Sequence, residues 1–207
     1  MSGALATKVP TRTWYGLEGA APTVLILASG RGERFAASGG RVHKLQAMLG
    51  NTTVLQHTID AVRDSGLPWH LESAGHPGMG DTIAAAVQAT ADSNGWLVLP
   101  GDLPLIQPDT LLHIAHALQQ HAAVVPVFQQ AGGPRGHPVG FGRSCREALL
   151  ALKGNQGAAP VLRAFAATEL VVKDLGTVTD IDTLDDLARA AELLAARQDG
   201  GSVDPLA

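Results

Sequence analysis

Two patterns alternate along this chain: short unbroken apolar runs of strand type, and longer stretches with apolar residues at helical spacing. Val24-Leu25-Ile26-Leu27, Trp96-Leu97-Val98-Leu99 and Ala123-Val124-Val125-Pro126-Val127-Phe128 are continuous runs, as expected of strands buried on both faces of a parallel sheet. Residues 68–72 and 170–175 read as two further strands. Helical spacing marks 53–62, with a stop at Ser65-Gly66, an alanine-rich stretch from Asp81, then 108–120, 145–152 and 158–166. A last helix opens at Asp182 with carboxylates in its first turn, where the helix dipole favours them. Strand and helix alternate throughout with short connections. The pattern predicts an α/β fold, a three-layer, Rossmann-like, mostly parallel sheet with helices on both faces. Residues 75–80 and 131–138, rich in glycine and proline, read as loops, the second of which cannot be regular structure. Ligands of such sheets bind beyond the carboxyl ends of the strands.

Composition narrows the classes. The 207 residues are 45% hydrophobic, enough for one sizeable core, and no Pro/Ser-rich linker divides them. The expected layout is one domain over 22–196 with tails at 1–21 and 197–207. A net charge of −4 argues against non-specific nucleic-acid binding. The single cysteine, Cys145, excludes an intramolecular disulfide framework and suits a reducing cytoplasm. No apolar stretch is long enough to cross a bilayer, and the first residues lack a signal-type apolar core, so no membrane partner is expected.

Candidate chemistry collects after the first strand. Ala28, Ser29, Gly30 and Gly32 lack the bulk that would keep backbone N–H groups from an anion, so the loop can wrap an oxyanion. Arg31, Arg34, Arg41 and Lys44 add local positive charge to an acidic chain, which points to phosphate. The loop is neither a dinucleotide fingerprint, since Phe35 stands where the third glycine should, nor a P-loop, since Leu45 follows Lys44.

Asp102, just after a buried strand, can hold a hard cation such as magnesium or cap the turn that follows. Asp180 or Asp182 could supply a second carboxylate, or cap the last helix. Gly78-Met79-Gly80-Asp81 could present N–H groups to a phosphate or a base, with Asp81 as an ordinary N-cap the alternative. His137, in a constrained Gly-His-Pro loop, could bind a substrate phosphate or support the site. His43, beside Lys44, is a secondary candidate, and Cys145 has no partner to activate it.

Taken in order, 27–35 with Lys44, Gly78-Met79-Gly80, Gly101-Asp102-Leu103-Pro104, Arg135-Gly136-His137-Pro138 and 180–187 resemble the molybdenum cofactor cytidylyltransferase group of the MobA-like NTP transferases, within the nucleotidyltransferase superfamily. The resemblance spans about 22–195. It implies a magnesium-dependent transferase that moves a nucleoside monophosphate from CTP, or another NTP, to a molybdopterin-type acceptor with release of pyrophosphate. Leu27 to Gly32 would hold base and triphosphate together with Gly78 to Asp81, and Arg34 and Lys44 would neutralise phosphate charge. Asp102, with Asp180 or Asp182, would bind Mg2+, and His137 would face the acceptor. A molybdoenzyme or its chaperone is the implied protein partner. Related alternatives are a GTP-dependent guanylyltransferase and a non-catalytic protein that delivers the cofactor. Three features depart from the group: residues 66–77 leave room for one strand only, His43 stands where proline or aspartate is usual, and Ser29 replaces alanine or glycine. The first predicts a sheet shortened by about one βα unit.

Overall fold

The computed structural model describes residues 21–30 and 32–198; Arg31 and the predicted tails, apart from Ala21, Arg197 and Gln198, lie outside the described residues. The elements run β1 (Thr23–Leu27), α1 (Glu33–Ala37), β2 (Met48–Leu49), β3 (Thr52–Thr53), α2 (Val54–Ser65), β4 (Trp69–Glu72), α3 (Met79–Ala89), β5 (Gly95–Pro100) and α4 (Pro108–Ala117). They continue with β6 (Ala123–Phe128), β7 (Val139–Gly142), α5 (Arg146–Leu150), α6 (Ala159–Ala164), β8 (Thr168–Val172) and α7 (Leu184–Gln198).

Six strands form the main sheet in the order β4-β1-β5-β7-β6-β8. β1 pairs in parallel with β4 and β5, and β6 with β8, while β7 runs antiparallel to both β5 and β6. This is the expected mostly parallel α/β sheet. Alternation along each strand sends side chains to opposite layers. Leu25, Leu27, Val98, Val125 and Phe141 pack on one face with residues of α3, α5 and α6. Val24, Ile26, Leu97, Leu99 and Val124 pack on the other with residues of α2 and α4. A third cluster, built on Phe35, Leu45, Leu49, Leu105 and Ile181, joins α1, the β2–β3 hairpin and α7 to this body. One strand, β4, fits between α2 and α3, and it ends the sheet.

Three expectations need correction. Strand and helix do not alternate throughout, because β7 follows β6 with no helix between them. Its sequence, Val139-Gly140-Phe141-Gly142, escapes a search for apolar runs because glycine dilutes it; a Cβ on Gly140 would stand 2.9 Å from Ile114 Cγ2, so packing against α4 accounts for that glycine. Residues 33–53 hold α1 and the β2–β3 hairpin, elements too short for periodicity to reveal. Boundaries also shift: α3 starts at Met79, with Gly78 rather than Asp81 as its N-cap, and β8 covers Thr168–Val172. Asp174, placed in that strand by its sequence, instead accepts hydrogen bonds from Gln107 N, Thr110 Oγ1 and Gly176 N, all at 2.9 Å, and so ties the entry of α4 to the turn after β8.

Candidate active site

The loop after β1 is rooted in its neighbours before it reaches any ligand. Ala28 N donates to the Glu72 carbonyl (2.8 Å) and Gly101 N to the Leu27 carbonyl (2.9 Å), locking the ends of β4, β1 and β5 together. Leu27 itself is buried in the core. Thr82 gives its hydroxyl proton to the Gly78 carbonyl (3.0 Å), so in the 2.9 Å contact between the two hydroxyls Ser29 is the donor. Gly32, at φ 64°, turns the chain into α1, a backbone setting in which a side chain would be strained. His43 closes the loop from the far side. Its Nδ1 accepts from Leu45 N (3.3 Å), which leaves Nε2 to donate to the Gly30 carbonyl (2.7 Å). The residue that departs from the family pattern therefore braces the loop and sets up the turn at Lys44.

Lys44 enters a site of opposite charge. Its Nζ lies 2.6 Å from Asp102 Oδ2 and 2.7 Å from Asp182 Oδ1, and Arg34 Nη1 pairs with Asp182 Oδ2. Burial pulls the Lys44 pKa down, but the carboxylates, Asp102 foremost, outweigh it and hold the ammonium above the ordinary lysine value. Asp180 stands nearby with its pKa pushed up, first by burial and then by the charges of Asp102 and Asp182. The last helix does not use Asp182 as its cap. Asp186 does that work, accepting from the backbone N–H groups of Asp182 (3.1 Å) and Thr183 (2.8 Å), while Thr183 Oγ1 accepts from Asp186 N (3.2 Å).

Two buried polar atoms here have no hydrogen-bond partner, Asp102 Oδ1 and His137 Nδ1. Burial holds the His137 pKa below its usual value against the pull of Asp102, and the ring bonds to the Val98 backbone. Both orphaned atoms can accept, so both call for a cation or a donor at this point. Among the described residues no three His, Cys, Asp or Glu side chains form a ready-made metal cage. Asp102 with one neighbouring carboxylate nevertheless suits magnesium, which takes one or two carboxylates and completes its shell with phosphate and water.

Beside this centre opens a cavity of about 620 Å³. Ser29, Gly30, Gly32, Arg34, Lys44 and Asp182 line it together with His76, Pro77, Gly78, Met79, Thr82 and Asn155. The cavity thus brings together Ser29, Gly30 and Gly32 of the predicted loop, the cations Arg34 and Lys44 but not Arg41, and Gly78 and Met79. Ala28, Gly80, Asp81, Asp102, Asp180 and His137 are outside its lining, and Arg31 lies outside the described residues. Gly80 and Asp81 face another segment instead. Lys153–Gly157 crosses the start of α3 as a strap: a Cβ on Gly80 would stand 2.8 Å from Lys153 N, one on Gly78 would clash with the Gly154 backbone, and Asp81 Oδ2 accepts from Gly154 N (2.8 Å). The two glycines are explained by backbone-to-backbone approach. His76, Thr82 and Asn155 are cavity residues that sequence reasoning did not single out, because their places depend on how β4, α3 and the strap fold around the loop.

Known proteins agree with this architecture. The family model of the MobA-like NTP transferase domain matches residues 24–170. The bifunctional protein GlmU of Ruthia magnifica subsp. Calyptogena magnifica is 30% identical over 146 residues, 59% of this chain and 30% of that protein. The chain therefore spans about a third of the length of the curated relatives it matches. Rv0371c of Mycobacterium tuberculosis H37Rv has a similar fold (TM-score 0.70, 22% identity, 85% of this chain and 100% of that one), and has also been solved in complex with manganese. The molybdopterin-guanine dinucleotide biosynthesis protein A of Archaeoglobus fulgidus superposes with a TM-score of 0.61 at 18% identity, over 84% of this chain and 98% of that one.

Proposed function

The chain belongs to the family of MobA-like NTP transferase domains, and we propose that it transfers a nucleoside monophosphate, most favourably from CTP, to the phosphate of a molybdopterin-type acceptor, releasing pyrophosphate. One observation carries the transferase reading: Lys44 bridges the carboxylates of Asp102 and Asp182 at the wall of a cavity framed by a glycine loop. The acceptor class is supported by the order of the sequence motifs and by the likeness of fold to a molybdopterin-guanine dinucleotide biosynthesis protein.

In this reading the two ends of the nucleotide follow the order of the strands. Asp102 follows β5 and His76 follows β4, on opposite sides of β1, so they stand beyond strands two positions apart, about 10 Å across the sheet. Arg34 and Lys44 neutralise the triphosphate on the β5 side. The base then lies toward β4. The acceptor approaches from the β7 side of Asp102, where His137 presents an unpartnered acceptor atom. An acceptor phosphate oxygen attacks the α-phosphorus, and the bond from that phosphorus to the oxygen bridging to the β-phosphate breaks as pyrophosphate leaves. The attacking oxygen is already anionic, so no side chain need remove a proton; positioning and charge neutralisation supply the rate. A divalent cation, magnesium in this reading, would be held by Asp102 with Asp182 or Asp180 and would supply further neutralisation of phosphate charge. The orphaned Asp102 Oδ1 and the manganese complex of Rv0371c support that assignment.

A thermal-shift series with CTP, GTP, ATP and UTP, with and without magnesium, tests this reading. A nucleotide at a hundred times its Kd stabilises the fold by roughly 2.7 kcal/mol, an easily read shift. Magnesium-dependent stabilisation, greatest with CTP, is expected; none with any nucleotide would overturn it.

A further inference from the structure

We propose that His76, oriented by the carboxylate of Glu72, selects the base, and that it favours a pyrimidine carrying an amino group over one carrying a carbonyl at the same position. This rests on the nucleotide reading above and deepens it. Glu72 ends the edge strand β4, and its backbone carbonyl holds Ala28 N at the root of the glycine loop. Its side chain is almost wholly engaged. Oε1 accepts from Ala74 N (3.1 Å) and meets His76 Nε2 (3.2 Å), while Oε2 lies 3.4 Å from His70 Nε2. Burial pushes the Glu72 pKa up, but the bonds from His76, Ala74 and His70 outweigh it and hold the carboxyl below its usual range, so the group is a carboxylate at neutral pH.

A carboxylate has no proton to give, so Nε2 of His76 must be the donor in that contact. In the neutral ring the other nitrogen, Nδ1, then carries only a lone pair. His76 lines the cavity beside Pro77, Met79 and Thr82, at the end assigned above to the base. The ring therefore offers an acceptor to the base edge. Cytosine presents an amino donor at position 4; uracil presents a carbonyl there, which would set lone pair against lone pair. Glu72 does not reach the ligand in this arrangement and acts as a positioning residue. It fixes which nitrogen of His76 bears the proton.

The test is the affinity of the full chain for CTP and for UTP, which share ribose and triphosphate, measured with magnesium and without acceptor. The wild type is expected to bind CTP tighter by roughly tenfold or more, the scale of one hydrogen bond lost to an unpaired polar atom. His76→Phe keeps a ring but removes the acceptor, and should bring the two affinities within about twofold, by weakening CTP and by relieving the opposition of lone pairs with UTP. Glu72→Ala, which removes the acceptor that fixes the proton on His76 Nε2, should diminish the preference for CTP. Circular dichroism establishes that both variants are folded. Equal binding by the wild type, preference for UTP, or an undiminished preference in folded His76→Phe would overturn this inference and leave the transferase reading standing. Binding of neither nucleotide to the folded wild type would overturn both.

Discussion

Lys44 is the residue on which the site turns, because it answers two carboxylates from distant parts of the chain, Asp102 and Asp182. Replacing Asp102 by alanine removes one of them and the orphaned oxygen that suits a cation. Nucleotidyl transfer is expected to fall by at least about a hundredfold, the usual scale for loss of one group that stabilises developing charge, with the far-ultraviolet dichroism unchanged. Retained activity at saturating magnesium would remove Asp102 from the centre. His43→Ala should act differently, since His43 braces the loop through Gly30 without lining the cavity. We expect a KM for the nucleotide raised several-fold with a smaller change in kcat, as for lost uniform binding; steady-state kinetics distinguishes the two patterns. Asp102, Arg34 and Lys44 were legible in the sequence because an apolar run or a glycine turn precedes each, and Asp182 because it opens the last helix. His76 and Asn155 were not, because their places depend on how β4 and the strap fold against the loop.

At the scale of elements, the start of α3 is held by backbone contact with the strap at Lys153–Gly157. Gly80→Ala would drive a Cβ to 2.8 Å from Lys153 N, and the strap must shift. Overpacking of this kind costs about 1–3 kcal/mol, which for a chain of this size lowers Tm by several degrees; calorimetry of the variant reads it directly. The entry to α7 makes a pH prediction. Burial raises the Asp186 pKa, but bonds from Thr183 and from the Asp182 backbone outweigh it and leave the folded value below the ordinary 3.8. A depressed carboxyl stabilises the fold above its unfolded pKa and loses that contribution as pH falls through the folded one. Asp186→Asn should therefore differ from wild type in stability at pH 7 and converge with it below about pH 3.8, as denaturant titrations would show. Long periodic elements such as α2 and the runs of β1, β5 and β6 were evident in the sequence. β7 was not: two of its four residues are glycines, one fitted against α4. α1 has five residues and a single buried side chain, Phe35, too little for a period to appear.

For the molecule as a whole, the order β4-β1-β5-β7 sets four candidate positions along one sheet edge: His76 beyond β4, the glycine loop beyond β1, Asp102 beyond β5 and His137 just before β7. The mostly parallel sheet follows from the alternation of apolar runs and amphipathic stretches. The antiparallel insertion of β7 does not, since it depends on long-range pairing with β5 and β6 that local sequence does not encode. Fold and family leave the substrates to this chain's own residues. The most direct test is pyrophosphate release from each of the four nucleoside triphosphates, with magnesium and a molybdopterin acceptor. Release with CTP that requires both magnesium and acceptor, and is lost in Asp102→Ala, is the predicted result. No release with any nucleotide, from protein shown to be folded, would contradict it.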